Sequence, residues 1–242
     1  AGCAIGCGNV WKFPWLTGQF GGGAFVLIYL FFLVILGWPV MTMEFALGRA
    51  SQKSPVHMYQ VLEPAGTKWH WHGIAALIGN VVLMMFYMVV TGWMLQYFFY
   101  TATGEFSGKT PVQVAEGFGA LLADPTTQIL DTVLIAGSAF LILSFSLRGG
   151  LERITKWMMM ALIVIMVIVA VNSLFMDGVK EGLRFYLLPD FGKITWDVVV
   201  AAMNQAFFTL SLGIGAMAIF GSYIDKDHTL GGESVRVILL DT

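Results

Sequence analysis

Residues 1–15 read AGCAIGCGNVWKFPW, and residues 209–215 read TLSLGIG. Each interrupts an apolar stretch that would otherwise run as a plain membrane helix. Gly2, Gly6 and Gly8, then Asn9 and Lys12, break the first stretch. Ser211-Leu212-Gly213-Ile214-Gly215 breaks the second, which covers 202–222. Lipid offers no hydrogen-bond partner, so backbone unwinds at membrane depth only where it lines a cavity or is buried in protein. Two interrupted spans in one chain therefore point to a substrate and ion site near the bilayer midplane.

The composition agrees with a membrane setting. Of 242 residues, 57% are hydrophobic and 12% charged, against about 45–50% and about 25% in soluble domains. Several runs exceed the roughly 18 apolar residues that suggest a span, so the expected fold class is an all-α polytopic membrane protein with the lipid bilayer as its partner. The formal net charge is −2 and no basic patch occurs, so no nucleic-acid partner is expected. Cys3 and Cys7, the only cysteines, lie inside the first apolar segment. They exclude a disulfide framework, and packing is preferred over metal binding for the pair. His70-Trp71-His72 resembles a metal-ligand pair, but no other His or Cys stands at a helpful spacing, and a solvated interfacial pair is expected. The sequence contains no GxxxxGK, HExxH, Ser-His-Asp pattern or paired catalytic carboxylates; no enzyme is expected.

The pattern predicts seven spans: a broken first at 1–19, then 24–48, 73–102, 129–147, 155–176, a broken sixth at 197–222, and the opening of a seventh at 235–242. Polar stretches at 49–70, 103–128, 148–154, 177–196 and 223–234 separate them. With the N-terminus cytoplasmic, the inner loops hold Arg49, Lys53, Lys68, Arg148, Arg153, Lys156, Lys226 and Arg236. The outer loops then hold Lys109, Lys180, Arg184 and Lys193, an excess inside that supports this orientation. Trp69, Trp71 and Trp196 stand at span ends, and 179–191 suits a short outer-face helix. The chain has no initiator Met and stops within a new apolar run, so it is expected to be an internal portion of a longer protein.

Four groups are candidates for chemistry. At the first break, carbonyls freed at Ala4 and Ile5 and the Asn9 side-chain oxygen are hard ligands for a monovalent cation. The restarted helix offers amides and its positive dipole end to an anionic group. Glycine-mediated helix packing is the competing reading, and Thr209 with Ser211 at the second break favours the binding site. Glu44, an intramembrane carboxylate, either relays protons or tethers unwound backbone amides, the preferred reading. Lys12 either gates by pairing with an acid or snorkels to the interface. Asp241 either completes a cation site or faces water at a helix end.

Four motifs in order resemble the neurotransmitter:sodium symporter family, closest to its bacterial amino-acid transporters. They are GNVWKFPW (8–15), GGGAF (21–25), EFALGR (44–49) and QAFFTLSLG (205–213). The resemblance covers essentially the whole chain. Symporters of this family are themselves the type example of paired broken helices, so pattern and resemblance are one observation rather than two. It implies two inverted five-helix repeats, with 1–176 as the first repeat, 177–196 an outer loop, and 197–242 the start of the second.

The resemblance further implies a sodium-coupled symporter importing an amino acid by alternating access. A non-transporting receptor or channel-like protein on the same scaffold is the alternative. It implies a first Na+ site from the Ala4 carbonyl, Asn9, Thr209 and Asp241, and part of a second from the Gly2 and Ile5 carbonyls. The implied substrate pocket is Cys3, Ala4, Gly8, Leu83, Tyr87, Phe208, Thr209, Ser211 and Ile214, with Phe208 as outer lid and Lys12 as gate. Tyr29, Gln205 and Thr209 match positions that hold Cl− in chloride-dependent relatives. Lys12 stands where Arg is usual, without the planar fork. Cys3 stands where Asn or Ser is commoner. Asp241 stands at a position often Asn, and its charge is expected to reduce any need for chloride. Gly6 replaces the Asp of monoamine transporters and favours an amino-acid substrate. The implied home is the plasma membrane, a prokaryotic inner membrane, because residues 103–128 lack sequons and cysteines.

Overall fold

The computed structural model describes residues 5–6, 8–145 and 152–242. Among these residues there is no strand. A π-helical turn, Gly8–Lys12, runs into α1 (Phe13–Gln19). Helices α2 (Gly23–Phe32) and α3 (Trp38–Ser51), joined by a π-helical turn at Leu33–Gly37, form one continuous span. Then come α4 (Pro55–Leu62), α5 (His70–Ala102), α6 (Pro111–Ala123), α7 (Pro125–Leu143) and α8 (Glu152–Ser173). The chain continues through α9 (Val179–Leu187), a 3-10 turn at Phe191–Lys193, α10 (Trp196–Thr209), α11 (Ala216–Gly221) and α12 (Leu230–Asp241).

Four helical segments among the described residues are long and apolar enough to cross a membrane: Gly23–Ser51, His70–Ala102, Pro125–Leu143 and Arg153–Ser173. The four unbroken spans expected at 24–48, 73–102, 129–147 and 155–176 lie on these segments with ends shifted by a few residues. The broken spans appear as α1 with its π-helical lead, and as α10 and α11 separated by residues 210–215. The short helix expected within 179–191 is α9, whose Glu181 and Arg184 mark a polar face. Trp69, Trp71 and Trp196 are all exposed, as interfacial residues should be. The structure departs from the sequence reading in two of the polar stretches, where α4 and α6 form. Each starts on a proline at the first helical position, where the missing N–H costs nothing.

The chain divides into two compact units: residues 1–78 with 159–242, and residues 79–158. In the first, α2 and α3 pack on α10, α11 and α12. Phe25, Leu33, Met41 and Phe45 meet Val198, Ala202, Ala206, Leu210 and Met217 in one buried core. That core fixes both edges of the α10–α11 break. In the second unit, α6 and α7 form a hairpin, and Phe118 of α6 packs edge-on against Trp93 and Tyr97 of α5.

Candidate functional site: the paired helix breaks

The two breaks, both in the first unit, are built differently. At the first, the Asn9 and Val10 amides both donate to the Gly6 carbonyl, at 3.1 and 3.3 Å. The Gly6 amide in turn donates to Asn9 Oδ1 at 3.0 Å. Asn9 thus knots the unwound backbone to the helix that restarts. At the second break, Ser211, Gly213 and Gly215 all have positive φ, at 51°, 84° and 75°. Three left-handed residues in five cannot belong to a right-handed helix, and the two glycines adopt that geometry without a Cβ penalty.

Asp241, the last residue of α12, ties the breaks together. Asn9 Nδ2 donates to the Asp241 carbonyl at 2.7 Å and to its Oδ1 at 3.0 Å. Thr209 Oγ1 donates to Oδ2 at 2.9 Å. Thr209 is 2% exposed and Asp241 6%. A carboxylate so deeply buried needs compensation by hydrogen bonds or an opposite charge. Here it has two neutral donors, one from each broken span, and sits beside the C-terminal, electronegative end of α10. The result is a cluster of hard oxygen atoms with a net negative charge, which suits a small hard cation.

Around this cluster, Gln205 Nε2 donates to the Gly8 carbonyl at 3.1 Å, a buried bridge between the two broken spans. Gln205 Oε1 is buried with no partner among the described residues. Tyr29, 3% exposed, places its hydroxyl beside Thr209 and Thr242 and within the field of Asp241. Glu44, 8% exposed, accepts the Gly213 amide on Oε1 at 2.6 Å. Its Oε2 has no partner in hydrogen-bond geometry among the described residues, while the Met217 and Ala218 amides of α11 lie close to the carboxylate. Glu44 therefore holds the unwound loop of the second break. The Lys12 Nζ stands 3.7 Å from the centroid of the Phe208 ring, so the two implied gate residues meet through a cation–π contact. A Cβ at Gly8 would come within 3.2 Å of that same ring.

The structure thus brings Asn9, Thr209, Asp241, Gly8, Gln205 and Tyr29 together, and pairs Lys12 with Phe208. Gly2, Cys3 and Ala4 lie outside the described residues, as does Cys7. Leu83 and Tyr87 belong to the second unit. Ile5 is described in the bend before the π-helical turn, and Ser211 and Ile214 sit on the loop of the second break. His70 is more than a solvated residue: its amide donates to Glu63 Oε2 at 3.0 Å, and its Nδ1 lies 2.9 Å from Oε1. The Gln205–Gly8 bridge was not foreseen. Its only sequence signal is an amide side chain on the apolar α10.

Residues 1–112 and 122–242 match the sodium:neurotransmitter symporter family. The chain belongs to that family. It is 33% identical over 244 residues to the sodium-dependent transporter YhdH of Bacillus subtilis, covering 100% of this chain and 53% of that protein. It is 27% identical over 257 residues to the sodium-dependent serotonin transporter of Drosophila melanogaster, covering 92% of this chain and 41% of that one. The chain spans about half the length of the bacterial relatives it matches. A crystal structure of MhsT in complex with L-phenylalanine matches with a TM-score of 0.90 at 37% identity, over 99% of this chain and 54% of that chain. The symporter family is a family of transporters, not enzymes.

Proposed function

We propose that the full-length protein is a sodium-coupled symporter that imports an amino acid or related small zwitterion by alternating access. The observation that carries this reading is the buried Asn9–Thr209–Asp241 cluster, which joins both broken spans at one charged oxygen site. In this reading Na+ is a co-transported substrate. It sits against Asp241 and Thr209 and takes the Asn9 side-chain oxygen and the Ala4 carbonyl. The Gly2 and Ile5 carbonyls contribute to a second Na+ site. The substrate carboxylate is held by amides of the first break, with Cys3, Ala4, Gly8, Thr209, Ser211 and Ile214 around the rest. Phe208, held by Lys12, closes the outer side.

Two observations support an amino acid. MhsT, which shares 37% identity, binds L-phenylalanine, and Gly6 supplies no acidic side chain for a lone amine. The fixed negative charge of Asp241 next to Tyr29, Gln205 and Thr209 opposes an anion there, so we assign no obligatory chloride. Glu44 acts as a tether of the second break rather than a proton carrier. The proposed location is a prokaryotic plasma membrane, with the N-terminal end on the cytoplasmic side. Uptake of labelled amino acids into proteoliposomes of the full-length protein tests this. Accumulation that requires an inward sodium gradient supports the symporter. Substrate binding without sodium, or flux that never exceeds equilibration, supports a receptor or channel instead.

A further inference from the structure

Away from the paired breaks, the second unit contains a cavity of about 240 Å³ between the end of α5, the following loop and the α6–α7 hairpin. One wall is aromatic. Tyr97 and Phe106 meet at 5.4 Å with the rings tilted by 34°, and Tyr100 meets Phe106 at 6.0 Å with the rings 88° apart. The opposite side is small: Gly117 and Ala120 of α6 line it, and open space stands where a Gly117 Cβ would be.

The charged groups facing the cavity are Glu105, Lys109 and Asp124. Lys109 Nζ is 3.1 Å from Glu105 Oε1, so these two largely cancel. Asp124 caps α7, accepting the Thr126 amide at 3.0 Å, the Thr127 amide at 3.3 Å and the Thr127 hydroxyl at 2.6 Å. Those donors hold its carboxyl below the usual range, and it is ionised at neutral pH. Among the described residues no Lys or Arg lies within ion-pairing distance of it. The cavity therefore carries one carboxylate with no cationic side chain paired to it, beside aromatic faces. A ring face repels anions and attracts ammonium groups, and a carboxylate held by neutral donors still attracts a positive partner.

We propose that this cavity binds a small organic ammonium ion, its charge beside Asp124 and its apolar body against Tyr97 and Tyr100. The site shares no residue with the cation cluster proposed at Asp241 and takes a different class of ligand. Benzylamine and its neutral isostere benzyl alcohol are suitable probes, titrated against the full-length protein in nanodiscs by saturation-transfer NMR. Benzylamine is expected to saturate and benzyl alcohol to bind at least about tenfold more weakly. Asp124→Asn removes the charge but keeps a good N-cap, so α7 stays capped and sodium-driven uptake stays at the wild-type level. Benzylamine affinity should then fall about tenfold. Tyr100→Leu should lower it about two- to fivefold, the range of an exposed cation–π contact. Absence of saturable binding, equal binding of benzyl alcohol, or unchanged affinity in both variants would overturn the assignment.

Discussion

Asp241 is the residue on which the proposed ion site turns, because it is the one carboxylate in a cluster of otherwise neutral oxygens. Replacing it with Asn keeps the shape and removes the charge. The half-saturating sodium concentration for uptake by the full-length protein should rise at least about tenfold in Asp241→Asn, the loss of one charge-assisted contact. A control potassium titration should show no compensation. Lys12 acts at the other end of the site. Its contact with Phe208 at 3.7 Å is worth about 0.5–1 kcal/mol at a partly exposed position. Lys12→Gln should therefore speed release of bound substrate about two- to fivefold, measured by filter-binding dissociation at saturating sodium. At this scale Asn9 and Glu44 were legible from the residues themselves, as a polar group at a break and an intramembrane carboxylate, while Asp241 needed the family resemblance. Periodicity alone left Asp241 open between an ion ligand and a water-facing helix end, since its partner Asn9 lies 232 positions away. The cation–π pairing of Lys12 and Phe208 was legible as two gate residues, but its chemistry was not. The sequence reading left an acid partner and snorkelling open, and among the described residues Lys12 meets a ring face.

The helices are held by close backbone contacts that a hydrophobicity pattern does not reveal. A Cβ at Gly48 of α3 would come within 1.9 Å of the Ala218 carbonyl oxygen of α11. Gly48→Ala must push the helices apart and should destabilise the protein by about 1–3 kcal/mol, the usual range for overpacking. Thermal unfolding in detergent checks this. Gly18→Ala, which meets nothing within 4 Å, should leave the midpoint unchanged or raised, since Ala favours the helix. The link between α4 and α5 is a hydrogen-bonded carboxylate. The His70 backbone and ring hold the Glu63 carboxyl below its ordinary range. A depressed carboxylate stabilises this link above its unfolded pKa, and the contribution disappears as pH falls through the lower folded value. Exchange of the His70 amide should accordingly quicken on acidification, and Glu63→Gln should remove that pH dependence. The long spans were legible because 18 or more apolar residues have few other places to be. Helices α4 and α6 were not, being short and interrupted by polar residues. Their signals were local, and in α6 the capping box of Thr110 and Gln113 was one of them.

For the whole molecule, the two breaks make sense only as a pair. Neither alone encloses an ion, and the residues that join them come from the π-helical turn, α10 and α12. The likeness to MhsT over 99% of the chain agrees with a shared scaffold, while the chain itself spans about half of it. Chloride is the coupling question that scale decides. If Asp241 supplies the negative charge proposed for it, replacing external chloride with gluconate should leave the uptake rate within about 1.5-fold; a halved rate would count against that role for Asp241. The ion cluster itself is tested most directly by sodium-dependent substrate binding in the full-length protein, compared between wild type and Asp241→Ala. Equilibrium binding of labelled L-phenylalanine, or of whichever amino acid the wild type accumulates, is measured across a sodium titration. The cluster predicts saturable sodium dependence in the wild type and a loss of at least about tenfold in apparent sodium affinity in the variant. Identical sodium curves for the two proteins would contradict it.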